Sequence, residues 1–264
     1  MLEIKNVSKT FNPGTITEKR ALHNVNLKIE DGDFVTVIGG NGAGKSTLLN
    51  LIAGVHFTDS GSITLDGVDM TRMPEFKRAK YLGRVFQDPM MGTAGNMEIE
   101  ENLAMAYRRG KKRTLSWGIK KSEKAGYVEA LKLLDLGLEN RMHSKVGLLS
   151  GGQRQALTLL MATLQKPKLL LLDEHTAALD PKTAKKVLEL TEEFIKKDKL
   201  TAFMVTHNMN DAIRYGNRLI MMKEGNVVYD VRGEEKKNLT VKDLLENFSI
   251  INGNEGANDR MLLS

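Results

Sequence analysis

The sequence predicts an α/β protein whose sheet core follows an N-terminal antiparallel sheet and is interrupted by a helical insertion. Short alternating runs, broken by Asn-Pro-Gly and Asp-Gly turns, fill about the first seventy residues. A helical pattern extends over Glu98–Leu164. Strand and helix then alternate from residue 169 to residue 206, which is typical of a layered α/β core.

Length and composition predict a packed core. The 264 residues can form one large domain, or one domain with an inserted lobe. Hydrophobic residues make up 41% and charged residues 27% of the chain, which does not indicate disorder. The 39 Lys and Arg exceed the 33 Asp and Glu by 6, and this excess fits an anionic partner or an ordinary surface equally well. Because cysteine is absent, disulfides and thiolate metal sites are excluded.

No membrane-spanning segment is expected. The richest apolar run, Lys168–Asp173, is far shorter than the roughly 18 residues that a spanning helix needs. The first residues, MLEIKNVSKTF, mix charged and apolar side chains, so we expect no secretory signal. If the protein serves a membrane, other chains must cross it.

The N-terminal elements precede a glycine-rich loop. The runs LEIKNV, ALHNVNLKI and GSITLDG predict antiparallel strands with tight turns. Asp33–Ile38 (DFVTVI) predicts a buried strand, and a helix opens at Lys45 after the glycines. The chain thus passes from a buried strand through a glycine-rich loop into a helix.

The later elements repeat this alternation. Strands are predicted over Leu169–Leu172 and Thr201–Thr206, with a helix over Pro181–Lys197 between them. Asp180 can cap that helix and Pro181 suits its first position. Its apolar face comprises Ala184, Val187, Leu188, Thr191, Phe194 and Ile195. From Gly233 the chain is polar, and residues 251–264 are expected to form a loose tail.

The glycine-rich loop fits the pattern GxxxxGK[ST]. Glycines suit it because backbone N–H groups must turn toward phosphate oxygens without a Cβ in the way. Lys45 is expected to reach the β- and γ-phosphates, and the Ser46 hydroxyl to ligate Mg²⁺. A chance match is the alternative, and the placement between strand and helix disfavours it. The predicted nucleotide-binding residues are Gly39, Asn41, Gly42, Ala43, Gly44, Lys45, Ser46 and Thr47.

Two carboxylates end the predicted strand at Leu169–Leu172. Asp173 can hold Mg²⁺ beside the phosphate loop, and Glu174 can orient and polarise an attacking water. Apolar strands often end in acidic residues on their way to solvent, which is the alternative. The phosphate loop in the same chain favours the catalytic interpretation.

A third motif, LSGGQ at residues 149–153, opens a helix between these two. Here the chain resembles the ABC ATPase family, whose signature sequence is LSGGQ, over roughly residues 2–235. The resemblance implies a phosphate-loop (RecA-like) sheet core with an N-terminal antiparallel β subdomain and a helical subdomain inserted at about 88–165. Residues 1–235 would form this single domain, and 236–264 a C-terminal extension. The amides of an ordinary glycine-rich helix entry also bind anions, but such an entry does not explain the order of the motifs. The signature residues expected at the nucleotide are Ser150, Gly151, Gly152 and Gln153.

The resemblance assigns four further residues, each with an alternative. Gln87 resembles the family's Q-loop glutamine, which senses Mg²⁺ and the attacking water, although it could be a solvated turn residue. His207 resembles the switch histidine that contacts the γ-phosphate, although it could be a plain polar strand end. Asp180 matches the D-loop aspartate that communicates across a dimer, or serves only as a helix cap. Phe11 lies where the family stacks an aromatic ring on adenine, or packs on its own sheet.

His175 departs from the family pattern, in which many members carry Pro after the Asp-Glu pair. The run DEHTAALDP, with RRGKKR and SWGI, is similar to bacterial cassettes grouped with tryptophan/tyrosine uptake systems. The departure puts no catalytic residue in doubt.

The resemblance also implies a mechanism. The ligands would be ATP and Mg²⁺, with Ser46, Gln87 and Asp173 at the metal. Two identical chains would pair head to tail, because the phosphate loop and LSGGQ are about a hundred residues apart and meet only between chains in the family. Glu174 would act as base, and Lys45 would stabilise phosphate charge.

The favoured function is the energising ATPase subunit of a transporter for a small solute, with uptake favoured and an amino acid as one candidate. Its partners would be membrane permease subunits and an extracytoplasmic substrate-binding protein, at the cytoplasmic face of the membrane. The alternative is a cytosolic ABC ATPase acting on nucleic acid or ribosomes. It is disfavoured because neither a second GxxxxGK[ST] nor sustained heptads occur, so no nucleic-acid partner is expected. A cassette that only binds ATP is disfavoured because Lys45, Gln87, Glu174 and His207 are all present.

Two further segments have open interpretations. The basic stretch Arg108–Lys124 is either a solvated face or a contact for anionic lipid headgroups. Met90, Met91 and Met97 follow Gln87 among glycines, and flexible thioethers suit a groove that receives a partner helix. The alternative is that they fill gaps in the core of the helical lobe.

Overall fold

The computed structural model describes residues 1–111 and 118–252. The chain divides into two compact units, one of Met1–Arg78 with Thr201–Ser264 and one of Ala79–Leu200. The strands are β1 (Leu2–Phe11), β2 (Lys19–Ile29), β3 (Phe34–Ile38), β4 (Ser60–Leu65), β5 (Val68–Asp69), β6 (Leu82–Val85), β7 (Leu169–Asp173), β8 (Ala202–Val205), β9 (Arg218–Lys223) and β10 (Asn226–Arg232). The α-helices are α1 (Lys45–Ala53), α2 (Glu75–Arg78), α3 (Ile99–Tyr107), α4 (Lys121–Lys132), α5 (Gly151–Thr163), α6 (Pro181–Asp198), α7 (Met209–Arg214), α8 (Gly233–Lys237) and α9 (Val241–Asn252), and short 3₁₀ turns cover Leu138–Asn140 and Val146–Leu148.

The first unit begins with the antiparallel sheet that the sequence predicts. Its strand order is β2-β1-β4-β5, and Ile4 of β1 pairs with Leu27 on one side and Ile63 on the other. Asp66 and Gly67 join β4 to β5 with φ of 49° and 75°. Positive φ at both central residues matches a right-twisted hairpin, which explains why Asp-Gly predicts this turn.

The core strands of the first unit follow the order β10-β9-β3-β8. Strand β3 pairs in parallel with both β8 and β9. All five of its residues are buried, as expected for a parallel strand covered on both faces. The predicted strands over Asp33–Ile38 and Thr201–Thr206 are therefore confirmed as β3 and β8.

A buried arginine fixes the end of α1. The Arg78 guanidinium donates hydrogen bonds to the carbonyls of Leu51 (2.7 Å) and Ile52 (2.8 Å), near the C-terminus of that helix. Burial lowers the pKa of Arg78 to about 10, so the side chain stays charged at neutral pH. A cation at this position complements the negative end of the helix dipole.

The second unit contains the helical segment together with β6, β7 and α6. Strands β6 and β7 are parallel, with Leu82 opposite Leu169 and Val85 opposite Leu172. The helix predicted over Pro181–Lys197 is confirmed as α6, which begins at Pro181 with Asp180 as N-cap. Its buried face contains five of the six predicted residues together with Leu190, and the sixth, Ala184, is half-buried.

The segment after β10 is helical over most of its described length. Leu244 of α9 is fully buried and packs in a cluster with Met209, Ala212 and Val231. Ile251 and Asn252, which the sequence assigns to a loose tail, are the last residues of α9, and the rest of that predicted tail lies outside the described residues.

Three cations of the basic stretch are held by internal partners. Arg108 pairs with Glu123 at 2.8 Å, and Lys124 pairs with Glu100 at 2.9 Å. Arg109 donates to the carbonyl of Ala162 at 2.8 Å. Lys112 and Arg113, part of the same prediction, lie outside the described residues. Over residues 1–111 and 118–252, no helix has the length and apolarity that crossing a bilayer requires.

Candidate active site

The phosphate loop joins β3 to α1 in the first unit. Gly39, Gly42 and Gly44 have φ of 151°, 77° and 101°, which L side chains rarely adopt. A Cβ at Gly39 would overlap the Met222 carbonyl, and one at Gly44 would lie 2.8 Å from the Ala21 carbonyl oxygen. Both the backbone conformation and the close packing therefore require glycine here.

Lys45 points into its own loop. The side chain is buried, and Nζ donates to the carbonyls of Gly39 (2.7 Å) and Gly40 (3.2 Å). Ser46 is exposed beside it. The loop thus presents an ammonium, a hydroxyl and the positive end of α1 at one place, which fits a chain of phosphates.

His207 lies at the same edge of the sheet as this loop. Val37 and Val205 are partners in the parallel β3–β8 pair, and Thr206 N–H donates to the Val37 carbonyl at 3.1 Å. The strands end together, so Gly39 and His207 follow from neighbouring strand ends. Contact of His207 with the γ-phosphate of a nucleotide in this loop stays a prediction.

Phe11 is at the end of β1, close to the phosphate loop. Phe11 is opposite Lys19 in the antiparallel β1–β2 pair. The Nζ atom of Lys19 reaches Gly42 of the phosphate loop, where it would lie 3.1 Å from an added Cβ. The half-buried ring meets His56 edge-on, with ring centroids 5.2 Å apart. The ring therefore has a packing partner in its own unit, and adenine stacking stays a prediction.

In the second unit, Gln87, Asp173 and Glu174 lie at the carboxyl ends of two neighbouring strands, β6 and β7. Because Val85 is opposite Leu172 in the parallel β6–β7 pair, the residues that follow each strand emerge together. Asp173 Oδ2 lies 3.4 Å from Arg84 Nη2. Glu174 has φ of 45°, a left-handed conformation that is unusual for a residue other than glycine.

One side chain to which the sequence analysis assigned no role connects the two segments that follow β6 and β7. Gln155, fully buried on α5, donates from Nε2 to the carbonyls of Phe86 (3.0 Å) and His175 (2.7 Å). These residues are the chain neighbours of Gln87 and Glu174. Gln155 lies two residues after LSGGQ, but this position indicates a contact with the two carbonyls only once the fold is known.

His175 is a buried, neutral side chain. Its Nε2 lies 3.1 Å from Thr191 Oγ1, which itself donates to the Val187 carbonyl at 2.8 Å. Because the hydroxyl hydrogen is used there, Nε2 is assigned the proton and donates to Thr191. Desolvation lowers the pKa of His175 to about 4.

The signature segment forms a capped and exposed helix start. Ser150 is the N-cap of α5, where its Oγ accepts from Gln153 N–H at 3.3 Å. A Cβ at Gly152 would overlap the Thr183 side chain. Asp180 accepts from Thr183 N–H at 3.1 Å, and hydrogen bonds from Thr183 lower the pKa of Asp180. LSGGQ and the start of α6 are therefore packed together.

The donor set of the predicted metal residues suits a hard cation. Asp173 is half-buried, whereas Gln87 and Ser46 are exposed, and all three offer oxygen atoms. Mg²⁺ prefers oxygen ligands and retains waters, which partly exposed ligands allow. Each of these residues thus offers the type of donor atom that Mg²⁺ prefers, and their joint binding of the ion stays a prediction.

Comparison with known proteins decides the family. The sequence profile described as ABC transporter matches residues 22–177, more than half of the chain. The chain belongs to the ABC transporter family. The chain is 48% identical to a tyrosine transport ATP-binding protein of Clostridioides difficile over 254 residues, covering 94% of this chain and 98% of that protein. It is 33% identical to a phosphonates import ATP-binding protein of Lactobacillus acidophilus, covering 97% of this chain and 98% of that protein.

A solved structure agrees with this assignment. The dimeric post-hydrolysis state of the ATP-binding cassette MJ0796 bound to ADP and Pi matches with a TM-score of 0.75 at 31% identity, covering 88% of this chain and 98% of that one. The predicted α/β cassette fold is thus confirmed. The chain is an ATP-hydrolysing, ATP-binding subunit of an ABC transporter.

Proposed function

We propose that this chain powers the uptake of a small solute, with an aromatic amino acid as the substrate class. The observation that carries the proposal is the 48% identity, over nearly the full length of both chains, to a tyrosine transport ATP-binding protein. The import subunit for phosphonates among its relatives supports the inward direction.

Hydrolysis in this proposal depends on a few side chains. Lys45, already held inside the phosphate loop, stabilises charge on the β- and γ-phosphates. Glu174 accepts a proton from the attacking water, while Gln87 and His207 orient that water and the γ-phosphate. Mg²⁺, held by Ser46, Gln87 and Asp173, would neutralise charge on the phosphate oxygens when bound.

The proposal includes a head-to-tail homodimer with ATP at the seam. Ser150 and Gly151 are exposed at the positive end of α5, so this helix start is available to a phosphate group of another chain. The dimeric MJ0796 cassette bound to ADP and Pi supports this arrangement by similarity. Asp180, which caps α6 beside the signature residues, is placed to respond to the partner.

The docking surface for a permease in this proposal is the methionine patch, defined as Met90, Met91 and Leu148. Their exposed fractions are 48%, 70% and 72%. The Arg154 guanidinium contacts Met90 Sδ and donates to the Gly147 carbonyl at 2.9 Å, which holds the two parts of the patch together. These exposures do not support the alternative that Met90 and Met91 fill the core of the helical lobe. Docking there would place the subunit at the cytoplasmic face of the membrane.

Reconstituted transport tests the proposal. The subunit would be assembled with its permease and substrate-binding protein in proteoliposomes with ATP and Mg²⁺ inside and labelled tyrosine or tryptophan outside. We expect ATP-dependent accumulation that Glu174→Gln abolishes and that Glu189→Gln, an exposed glutamate on α6, leaves intact. ATP-dependent loss of preloaded solute would instead indicate export. ATP turnover that responds to RNA and not to the permease would support the nucleic-acid alternative.

A further inference from the structure

We propose that Gln155 is a positioning residue for ATP hydrolysis, which ties the proposed base Glu174 and the Q-loop residue Gln87 to the signature helix α5. The proposal rests on the roles given above to these two residues. It adds a physical connection between the start of α5, where a partner's ATP would bind, and the residues Gln87 and Glu174 of the same chain.

The geometry of one side chain carries the proposal. Both N–H groups of the Gln155 amide point at backbone carbonyls, 3.0 Å to Phe86 and 2.7 Å to His175. Phe86 directly precedes Gln87, and His175 directly follows Glu174. A single nitrogen therefore bridges the two loops that follow the paired strands β6 and β7.

The chemistry of the amide fixes its orientation. Among the residues that the structure describes, Gln155 Oε1 accepts no hydrogen bond although it is buried. A reversed amide would place Oε1 against two carbonyl oxygens, which is repulsive, so only the observed orientation is stable. Burial of an unused acceptor is costly, which favours a specific use for the two donors.

Further contacts make the connection stiff. The neighbours Ala156 and Leu157 on α5 are fully buried, so the helix moves as a unit with its core. A Cβ at Gly92 would lie 2.6 Å from Thr158 Cγ2, which shows that the segment after Gln87 also packs closely on α5. On the other side, the ring of His175 is anchored to Thr191 of α6. Displacement of the helix start at Ser150 would thus be passed to both loops.

The test compares Gln155→Leu with a matched control, Thr163→Val. Leucine keeps most of the volume and removes both donors. The control removes a buried hydroxyl from the same helix, where Thr163 Oγ1 donates to the Leu159 and Leu160 carbonyls. The readouts are kcat and KM for ATP, the thermal midpoint, and hydrogen exchange of peptides covering residues 86–91 and 174–179.

We expect Gln155→Leu to lower kcat by about 10- to 100-fold, because small misplacements of reacting groups have effects of this size. The KM for ATP should stay within about a factor of two, since the phosphate loop is untouched. Exchange should rise in the two loops and not along α5. The control should change none of these values. If kcat is unaffected, or falls only in step with KM and the thermal midpoint, the positioning role is wrong.

A second variant, Gln155→Asn, and a reference variant, Glu174→Gln, separate failure of the positioning role from failure of the proposed base. If Gln155→Leu fails to fold, Gln155→Asn retains one amide on a shorter arm and should lower kcat by about tenfold. Glu174→Gln in the same assay reports on the proposed base itself. Slow Glu174→Gln with normal Gln155→Leu and Gln155→Asn would reject the positioning role alone. Normal Glu174→Gln would reject the role of Glu174, and with it the proposal for Gln155.

Discussion

The left-handed backbone at Glu174 places a carboxylate at a position where glycine would be less strained. The conformation, with φ of 45°, costs a non-glycine residue about 1–2 kcal/mol. We predict that Glu174→Gln retains ATP binding but lowers turnover by about 10²- to 10⁴-fold, because an amide cannot accept the proton of water. Steady-state ATPase assays and nucleotide titration measure the two effects.

The same variant makes a prediction for size-exclusion chromatography. With hydrolysis blocked, Mg²⁺ and ATP should hold Glu174→Gln as a dimer. Glu189→Gln, a change of the same type on the exposed face of α6, should hydrolyse ATP like the wild type. Undiminished hydrolysis by Glu174→Gln would show that another group is the base.

His175 predicts a specific sensitivity to acid. Its pKa is about 4 in the folded chain against 6.5 for an unperturbed histidine, so between these values the unfolded chain binds more protons. The stability that neutral His175 contributes is thus full above about pH 6.5 and is lost as the pH falls toward 4. The total is about 3 kcal/mol, at 1.36 kcal/mol per pKa unit.

His175→Gln should remove this component, because the amide can still donate to Thr191 and does not titrate. Urea unfolding at pH 7.5 and 4.5 measures it: the variant should lose less stability between these pH values than the wild type. His23→Gln, at a half-buried histidine of β2, is the control and should behave like the wild type. Equal acid losses in His175→Gln and the wild type would contradict the assignment.

The roles of single residues could be predicted where the order and spacing of residues in a local motif indicate the chemistry. Lys45 follows a glycine loop, and Asp173 and Glu174 end an apolar strand, so their positions needed no fold. The burial of Arg78, Gln155 and His175 was not predicted, because nothing local distinguishes a buried polar residue from an exposed one. Their burial depends on carbonyls and hydroxyls supplied by other elements.

At the scale of elements, strong local signals were reliable. Helix α6 starts at Pro181 as predicted because Asp180 caps it and its apolar positions recur at helical spacing. The segment after Gly233 was harder to predict, because it begins with a run of polar residues and because the burial of Leu244 of α9 depends on a cluster to which β9, β10 and α7 contribute. The packing of Leu244 thus adds to the local capping of this helix by Thr240 and Asp243.

The methionine patch gives a prediction at this scale. Replacing Met90 and Met91 by Glu should leave the subunit folded and hydrolysing ATP, because both side chains are exposed and Arg154 can donate hydrogen bonds to a carboxylate at position 90. The double variant should fail to co-purify with the permease. Met105→Glu, an exposed methionine on α3, should co-purify normally. Unfolding of the double variant would restore the core interpretation, and normal co-purification would remove the patch from the interface.

For the whole molecule, the sequence predicted the cassette but not how its motifs meet. The parallel pairings that put His207 beside the phosphate loop, and Gln87 beside Glu174, connect residues more than 80 positions apart. The hydrophobic pattern of a segment does not tell which distant strand it pairs with. Before the structure, only the family resemblance indicated that these residues come together. The proposed dimer is harder still to derive, because the contact between Lys45 of one chain and Ser150 of its partner is not present in a single chain.

Mixing two inactive variants tests that dimer. Ser150→Arg should block the place where the partner's ATP docks, and Lys45→Ala should prevent phosphate binding in its own chain. Ser150 also caps α5, so Ser150→Ala serves as control: it loses the cap, at about 1 kcal/mol, without the steric block. In a mixed dimer the Lys45 of the Ser150→Arg chain faces an intact Ser150, so one of the two sites is complete. ATPase activity should therefore recover in part on mixing, whereas each variant alone stays inactive. If the mixture is as inactive as its components although size-exclusion shows mixed dimers, the two motifs do not act across the seam.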